Sequence, residues 1–458
     1  MNKSIESSLI EDYTHPVRDV LWGHIYMTEG FARLTESKPF LRLNRIMQLG
    51  PVYLVYPGAT HTRASHSIGV YHIGRRLLQN LAERGADLWL THEGVKSFLA
   101  ACLLHDLGHF PYTHSLKELS LTSHETLTGE IILKEPVKSL VGAAGADPAL
   151  TAAIIDKDID AGCSEHGRSE HGRSEHGRSE HGRSEHGCSE LLFYRKLLSG
   201  ALDPDKLDYL NRDARYCGVP YGAQDVDFIL SRIQSEKERG ADIDSRLIPN
   251  VEALLFSKYM MYRTVYWHRQ VRAATAMVKK TLINGLESGL FTGESLYNLD
   301  DTSLFTLLTA KSGQNQEKNI DTSLIEAVQE GKIFLTAAEI SHKNVNLAIL
   351  KDIKSRSQLE HLLAERLRQK GLEIRGEDLI IDIPEPISFE TGLFVSDEGC
   401  NFSESSSAFK TEMVEAFIKT LYTIRIYINQ KFKERLKTFH KLYDIIFDVA
   451  QINESRGN

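Results

Sequence analysis

At 458 residues the chain has room for about three domains of ~150 residues, or for one large core with additions. Hydrophobic residues at 41%, charged residues at 25%, 32 Gly and 12 Pro make an ordinary globular composition, which excludes wholesale disorder, collagen and a disulfide scaffold. A formal charge of −8 argues against a broad basic footprint for duplex nucleic acid, but leaves room for a local cationic pocket and a small phosphorylated ligand.

The opening MNKSIESSLIEDY holds no apolar signal-peptide core, and the longest apolar run, Phe98 to Leu104, is far too short to span a bilayer, so a soluble cytoplasmic protein is expected. Five scattered cysteines without a CxxC pair fit a reducing compartment, with neither a disulfide framework nor a thiolate zinc site. In chain order, residues 51–58 are β-branched and aromatic between Pro51 and Gly58, which predicts a strand. Val70, Ile73, Leu77, Leu78 and Leu81 recur at helical spacing, and so do Phe98, Ala101, Cys102 and Leu104.

From Ser164 the pentapeptide Ser-Glu-His-Gly-Arg repeats four times, and a fifth copy ends in Cys188. Its period fits neither helix nor strand and it has little to bury, so a flexible insert is expected over 163–189. The repeat's histidines suit metal buffering, but expansion of a tolerant surface loop is the simpler explanation. Residues 379–395 mix strand-like and Pro-broken pieces, 423–428 alternate strictly as a strand, and Phe417 to Leu442 reads as helix. The expected fold is mostly α, with a short β-hairpin, a main domain over 1–290 and a smaller α+β region over 291–458 that offers surface for self-assembly.

The chemistry concentrates in three segments. In Ala100-Ala-Cys-Leu-Leu-His-Asp-Leu-Gly-His109 an apolar helix runs into His105-Asp106 and is expected to stop at Gly108. His66 opens a second amphipathic helix, and Asp203-Pro204-Asp205 reads as an N-cap followed by Pro in the first turn. Each alone has an ordinary structural explanation. Together His66, His105, Asp106 and Asp205 supply the N and O ligands of a divalent metal site.

The order and flanks of these segments resemble the HD-domain phosphohydrolases, specifically the deoxynucleoside triphosphate triphosphohydrolase branch. The likeness is carried by Phe40-Leu-Arg-Leu-Asn-Arg-Ile-Met-Gln-Leu-Gly50, by residues 55–70 through His66, by His105-Asp106-Leu-Gly-His-Phe-Pro-Tyr-Thr-His114, by His124-Glu125, and by Asp205-Lys206 through Asp213. It is dense from about His15 to Gly222. It implies a helical HD bundle holding one ion of Mn, Fe, Zn, Co or Mg on His66, His105, Asp106 and Asp205. It further implies proton transfer by His109, His114 and His124, and phosphate contacts from Arg63, Lys206 and Arg263. Gln48 and Asp213 would bind the sugar 3′-hydroxyl, with Tyr209 packed where a 2′-hydroxyl would sit. The implied reaction is water attack on the α-phosphorus of a deoxynucleoside triphosphate, in a homo-oligomer with no membrane partner.

Two alternatives stand beside it: an HD hydrolase of nucleoside monophosphates or cyclic nucleotides, and a nucleotide-binding sensor with weak turnover. The chain departs from the family pattern in three places. Lys117 replaces a usual carboxylate, although Glu118 shares a helical face with His114 and is expected to orient it. Val271-Arg272 replaces a Tyr-Gln pair, and Glu36 and Asn44 stand where activated members read guanine, so guanine-triphosphate activation is not expected.

Overall fold

A computed structural model describes residues 4–159, 185–312, 322–341, 350–385 and 387–438. Most of the pentapeptide insert, and residues 439–442 of the last predicted helix, lie outside the described residues. The helices that position the site are α1 (Arg63–Ala82), α2 (His92–Leu104), α3 (His124–Ile132), α4 (Pro204–Cys217), α5 (Arg269–Glu287), α6 (Ile353–Gln369) and α7 (Thr411–Leu421). Thr62 caps α1 and Thr91 caps α2, each hydroxyl accepting from a backbone N–H three residues on. The stripe predicted on α1 is buried, as are all residues from Phe98 to Leu104 on α2. Removing such side chains from water stabilises the fold by roughly 1.5–3 kcal/mol each. Helix α1 packs on α2 and α4. A Cβ on Gly74 would stand 2.6 Å from Cys102 Sγ, so glycine there lets α1 and α2 approach closely.

A hairpin pairs β1 (His15–Asp19) with β2 (Gly23–Met27). A four-stranded sheet has the order β3 (Ile233–Glu236), β4 (Gly240–Ile243), β7 (Phe394–Val395), β8 (Cys400–Asn401), and a three-stranded sheet the order β5 (Leu335–Ser341), β9 (Thr423–Ile428), β6 (Leu379–Asp382). Through β7, β8 and the side chains of Phe389, Phe402 and Leu421, the C-terminal region returns to the core built around α1 and α2. A separate core forms where α6 packs on the β5–β9–β6 sheet.

Several expectations are corrected. Residues 51–58 form no strand: a 3-10 turn covers Gly50–Leu54, and the N–H groups of Val52, Val55 and Tyr56 bond carbonyls three or four residues back. Pro51 has no N–H to offer a ladder. The hairpin instead lies at 15–27, in strands too short for alternation to register. The helix predicted from Phe417 stops at Leu421, because the alternating 423–428 segment pairs on both sides as the central strand of its sheet. Residues 185–189, expected in the flexible insert, begin a helix running to Leu198. Cys188 is disulfide-bonded, against the expectation of no cystine, while Cys102 and Cys217 are buried free thiols. Among the described residues, no helix is long and apolar enough to cross a membrane.

Glu118 does not orient His114. Its carboxylate takes Lys279 of α5 at 2.9 Å and both Nη atoms of Arg356 of α6 at 2.9 and 3.0 Å, tying the loop after His114 to the C-terminal region. Both cations are buried. Glu118→Gln is therefore expected to destabilise the protein by about 1–3 kcal/mol, since it takes this carboxylate from buried Arg356 and leaves Lys279 only the more distant Glu385, at 4.0 Å. Urea unfolding followed by circular dichroism measures it; an unchanged midpoint would remove Glu118 as a tie.

Candidate functional site

The site lies where the N-terminal turns of α1 and α4 meet the loop leaving α2. Asp203 caps α4, accepting from the Lys206 N–H at 2.7 Å, and Pro204 follows in the first turn as predicted. This aims Asp205 at α1, where its Oδ1 is 2.9 Å from His66 Nε2 and 3.9 Å from His105 Nε2. His66, His105 and Asp205 each offer one ligand atom, and the three atoms lie within 4.8 Å of one another. His105 Nδ1 is 2.9 Å from the Cys102 carbonyl, which leaves Nε2 facing the gap. That donor chemistry fits a divalent ion. Asp106, the fourth expected ligand, has Oδ1 3.3 Å from His105 Nε2, yet it also pairs with Arg63 at 2.8 Å and lies 3.1 Å from His109 Nδ1.

Behind His66 stands a network that the sequence reading missed. Asp208, fully buried, places Oδ2 2.8 Å from His66 Nδ1 and accepts from Arg212 Nε at 2.7 Å. Its Oδ1 accepts from Trp22 Nε1 at 2.6 Å and Arg212 Nη2 at 2.9 Å, and Arg212 Nη1 reaches Asp19 at 2.8 Å. Burial opposes ionising Asp208, but the Arg212 charge and the hydrogen bonds from His66 and Arg212 outweigh it and hold its pKa at about 2. Burial likewise opposes charging His66, and Asp205 and Asp208 together raise its pKa to about 10. Any added side chain at Gly69 would meet this network, since its Cβ would stand 1.9 Å from Asp208 Oδ1. The i, i+3 spacing from Asp205 was the signal for Asp208. Because an outer carboxylate fixes the imidazole, Asp208→Asn is expected to weaken metal binding by about 10–100-fold, readable by calorimetric metal titration.

The three other histidines also converge. His109 Nε2 is 3.1 Å from His114 Nε2, and the His124 ring centroid lies 4.0 Å from that of His109 and 5.2 Å from that of His114. Their loop is clamped from both sides: Arg42 donates to the carbonyls of Leu107 and His109, at 2.5 and 2.6 Å, while Thr128 donates to the His105 carbonyl at 3.0 Å and accepts from the Gly108 N–H at 2.8 Å. Helix α2 ends at Leu104, before the expected stop. Gly108 is required by close approach instead, as a Cβ would lie 2.2 Å from the His124 carbonyl oxygen. Burial, then the Arg63 charge, pushes His109 well below the usual histidine range; burial and His114 do the same to His124. Both are held in the neutral form near pH 7. His114 is exposed.

The expected substrate residues divide into two groups. Asp205, Tyr209 and Asp213 recur every four residues and share one face of α4, with Tyr209 half-buried. Asp213 Oδ1 lies 2.8 Å from His61 Nε2, and Oδ2 accepts from Tyr266 at 2.6 Å, so His61 and Tyr266 join the site without having been foreseen. Gln48 donates its N–H to the His61 carbonyl at 3.0 Å, and its buried Oε1 has no hydrogen-bond partner among the described residues. By contrast, Lys206 is held in place by Asp203 at 2.6 Å and the Gly200 carbonyl at 3.0 Å. Arg263 is exposed and donates to the Tyr259 hydroxyl at 2.9 Å; no contact among the described residues brings it to the histidines. Arg272, at the variant Val271-Arg272 position, is buried against Asp382 at 2.6 and 2.9 Å.

Residues 63–210 match the HD domain and residues 229–454 the HD associated region. The Bacillus subtilis protein YwfO is 34% identical over 275 residues, which are 60% of this chain and 54% of YwfO, so the chain spans about half the length of that relative. The deoxynucleoside triphosphate triphosphohydrolase SAMHD1 of Bos taurus is 23% identical over 400 residues, 82% of this chain and 67% of that protein. A solved phosphohydrolase from Bacteroides thetaiotaomicron VPI-5482, 21% identical, shares the fold with a TM-score of 0.64 over 91% of this chain and 100% of the other.

Proposed function

With an HD domain over residues 63–210 and an HD associated region over 229–454, the chain belongs to the HD-domain phosphohydrolases, and we propose that it hydrolyses deoxynucleoside triphosphates to deoxynucleoside and triphosphate. The observation that carries the reading is that Asp106, 3.3 Å from His105 and 3.1 Å from His109, brings the His66, His105 and Asp205 group beside the histidine trio, while Tyr209 and Asp213 share a face of α4 with Asp205. The likeness to SAMHD1 supports the same substrate class.

His66, His105 and Asp205 would hold the metal, with Asp106 beside them. When bound, a divalent ion would supply Lewis acidity, making water a better nucleophile and offsetting charge on the phosphate. Water adds to the α-phosphorus, the bond from phosphorus to the 5′-oxygen breaks, and that oxygen takes up a proton. His109 and His124, neutral beforehand, accept the proton released by the water. The negative charge of the bound triphosphate favours their protonated forms, which lets the trio return a proton to the leaving oxygen. Arg63 adds a fixed positive charge next to Asp106. Gln48 Oε1 is an acceptor suited to the 3′-hydroxyl, and Tyr209 would pack against the ribose.

Lys206 and Arg263 would reach phosphate only by leaving their present partners, so their contribution appears on binding rather than before it. A panel of dNTPs, NTPs and monophosphates with Mn²⁺ or Mg²⁺ tests the substrate class. Triphosphate from dNTPs alone is the expected product. Orthophosphate from monophosphates would move the protein to the phosphomonoesterase reading, and tight dNTP binding without product to the sensor.

A further inference from the structure

We infer that His109, His114 and His124 form a second metal site, an all-imidazole pocket that takes Zn²⁺ or another transition ion in preference to Mg²⁺, and that filling it stops turnover. One ligand atom from each ring lies within 4.8 Å of the other two, the same closeness that brings His66, His105 and Asp205 together. Two of these atoms, His109 Nε2 and His114 Nε2, face each other at 3.1 Å. The N···N edge of a tetrahedral zinc site is about 3.4 Å, so this pair is already spaced for one ion and only His124 needs to turn inward.

Carboxylates also stand near the outer nitrogens of this trio. His66 reaches its gap through Nε2 while Nδ1 is held by a hydrogen bond with Asp208. His109 Nδ1 is 3.1 Å from Asp106 Oδ1 but makes no hydrogen bond with it, and His124 Nδ1 is 3.1 Å from Glu125 Oε2. A carboxylate near Nδ1 raises the donor strength of Nε2. The loop is held by Arg42 and Thr128, and exposed His114 gives an ion a way in from solvent. Three neutral nitrogens without a carboxylate suit Zn²⁺, Co²⁺ or Ni²⁺ and discriminate against Mg²⁺, which demands oxygen ligands. Ion binding takes up the nitrogen lone pairs that proton transfer would use. The inhibition therefore rests on the function proposed above; the binding does not.

The test titrates the full chain, stripped of metal, with Zn²⁺ and Co²⁺. The repeat's histidines are common to every variant, so differences in bound metal are read: by elemental analysis after gel filtration wild type is expected to hold one equivalent more than His114→Gln, at an exposed position, and one more than His124→Gln. Co²⁺ should give wild type the intense visible bands of a tetrahedral site, which both His variants lose; Asp205→Asn should lose a different equivalent and keep them. In wild type running on Mn²⁺, the second Zn²⁺ should lower the dNTP hydrolysis rate at least tenfold, with recovery on adding a zinc chelator. Equal metal content in wild type and both His variants, with the Co²⁺ bands unchanged, would overturn the site. Full activity with two Zn²⁺ bound would overturn the inhibition, and loss of Asp205 without loss of any ion would instead count against the function proposed above.

Discussion

Asp205→Asn is expected to abolish hydrolysis while leaving the fold intact. Asp205 is the carboxylate that meets both His66 and His105, and its side chain is 37% exposed, so the substitution removes a ligand from a solvent-reached gap rather than a buried core charge. Metal supplies several kcal/mol of charge stabilisation in such reactions, and at 1.36 kcal/mol per tenfold its loss lowers the rate by roughly 10³-fold or more. Elemental analysis and the rate are read on the same sample. A metal-free variant that still turned over at the wild-type rate would separate the ligands from the chemistry.

Arg212→Met should be the most destabilising single change. The guanidinium is fully buried and neutralises two buried carboxylates, at 2.7 Å to Asp208 and 2.8 Å to Asp19. Removing one member of a buried charge network leaves the rest uncompensated, at a cost of about 3–5 kcal/mol. The sign of the pH dependence follows from Asp208. Its folded pKa is near 2 against an ordinary 3.8, so its contribution is present above about pH 4 and lost as pH falls through 2. Chemical unfolding at pH 7 should show the full deficit in Arg212→Met, and the gap from wild type should narrow as the pH approaches 2. A pH-independent difference would mean that Arg212 acts through packing alone.

The parts of the site that were legible in the sequence are those set by local chemistry. Asp203-Pro204 announced the start of α4, apolar spacing announced α1 and α2, and the four-residue rhythm of Asp205, Tyr209 and Asp213 put them on one face. What was not legible depends on partners distant in the chain. Asp208 and Arg212 are charged residues whose burial depends on Asp19 and Trp22, far away in the chain. Glu118 was expected to serve the neighbouring His114, but its cations come from residues 279 and 356. The same holds for residues 51–58: they have strand-forming side chains, yet among the described residues no strand pairs with them, and local turns take up backbone N–H groups of Val52, Val55 and Tyr56. Lys206 and Arg263 carry the right charge for phosphate, while their present partners, Asp203 and Tyr259, could not be read from charge alone.

The most direct test of the account is hydrolysis of a dNTP in ¹⁸O-labelled water with Mn²⁺, followed by mass spectrometry of both products. Attack at the α-phosphorus predicts one ¹⁸O in the triphosphate and none in the deoxynucleoside, with no labelled product from Asp205→Asn. Label in the deoxynucleoside, or in pyrophosphate or orthophosphate released alongside a nucleotide, would contradict it.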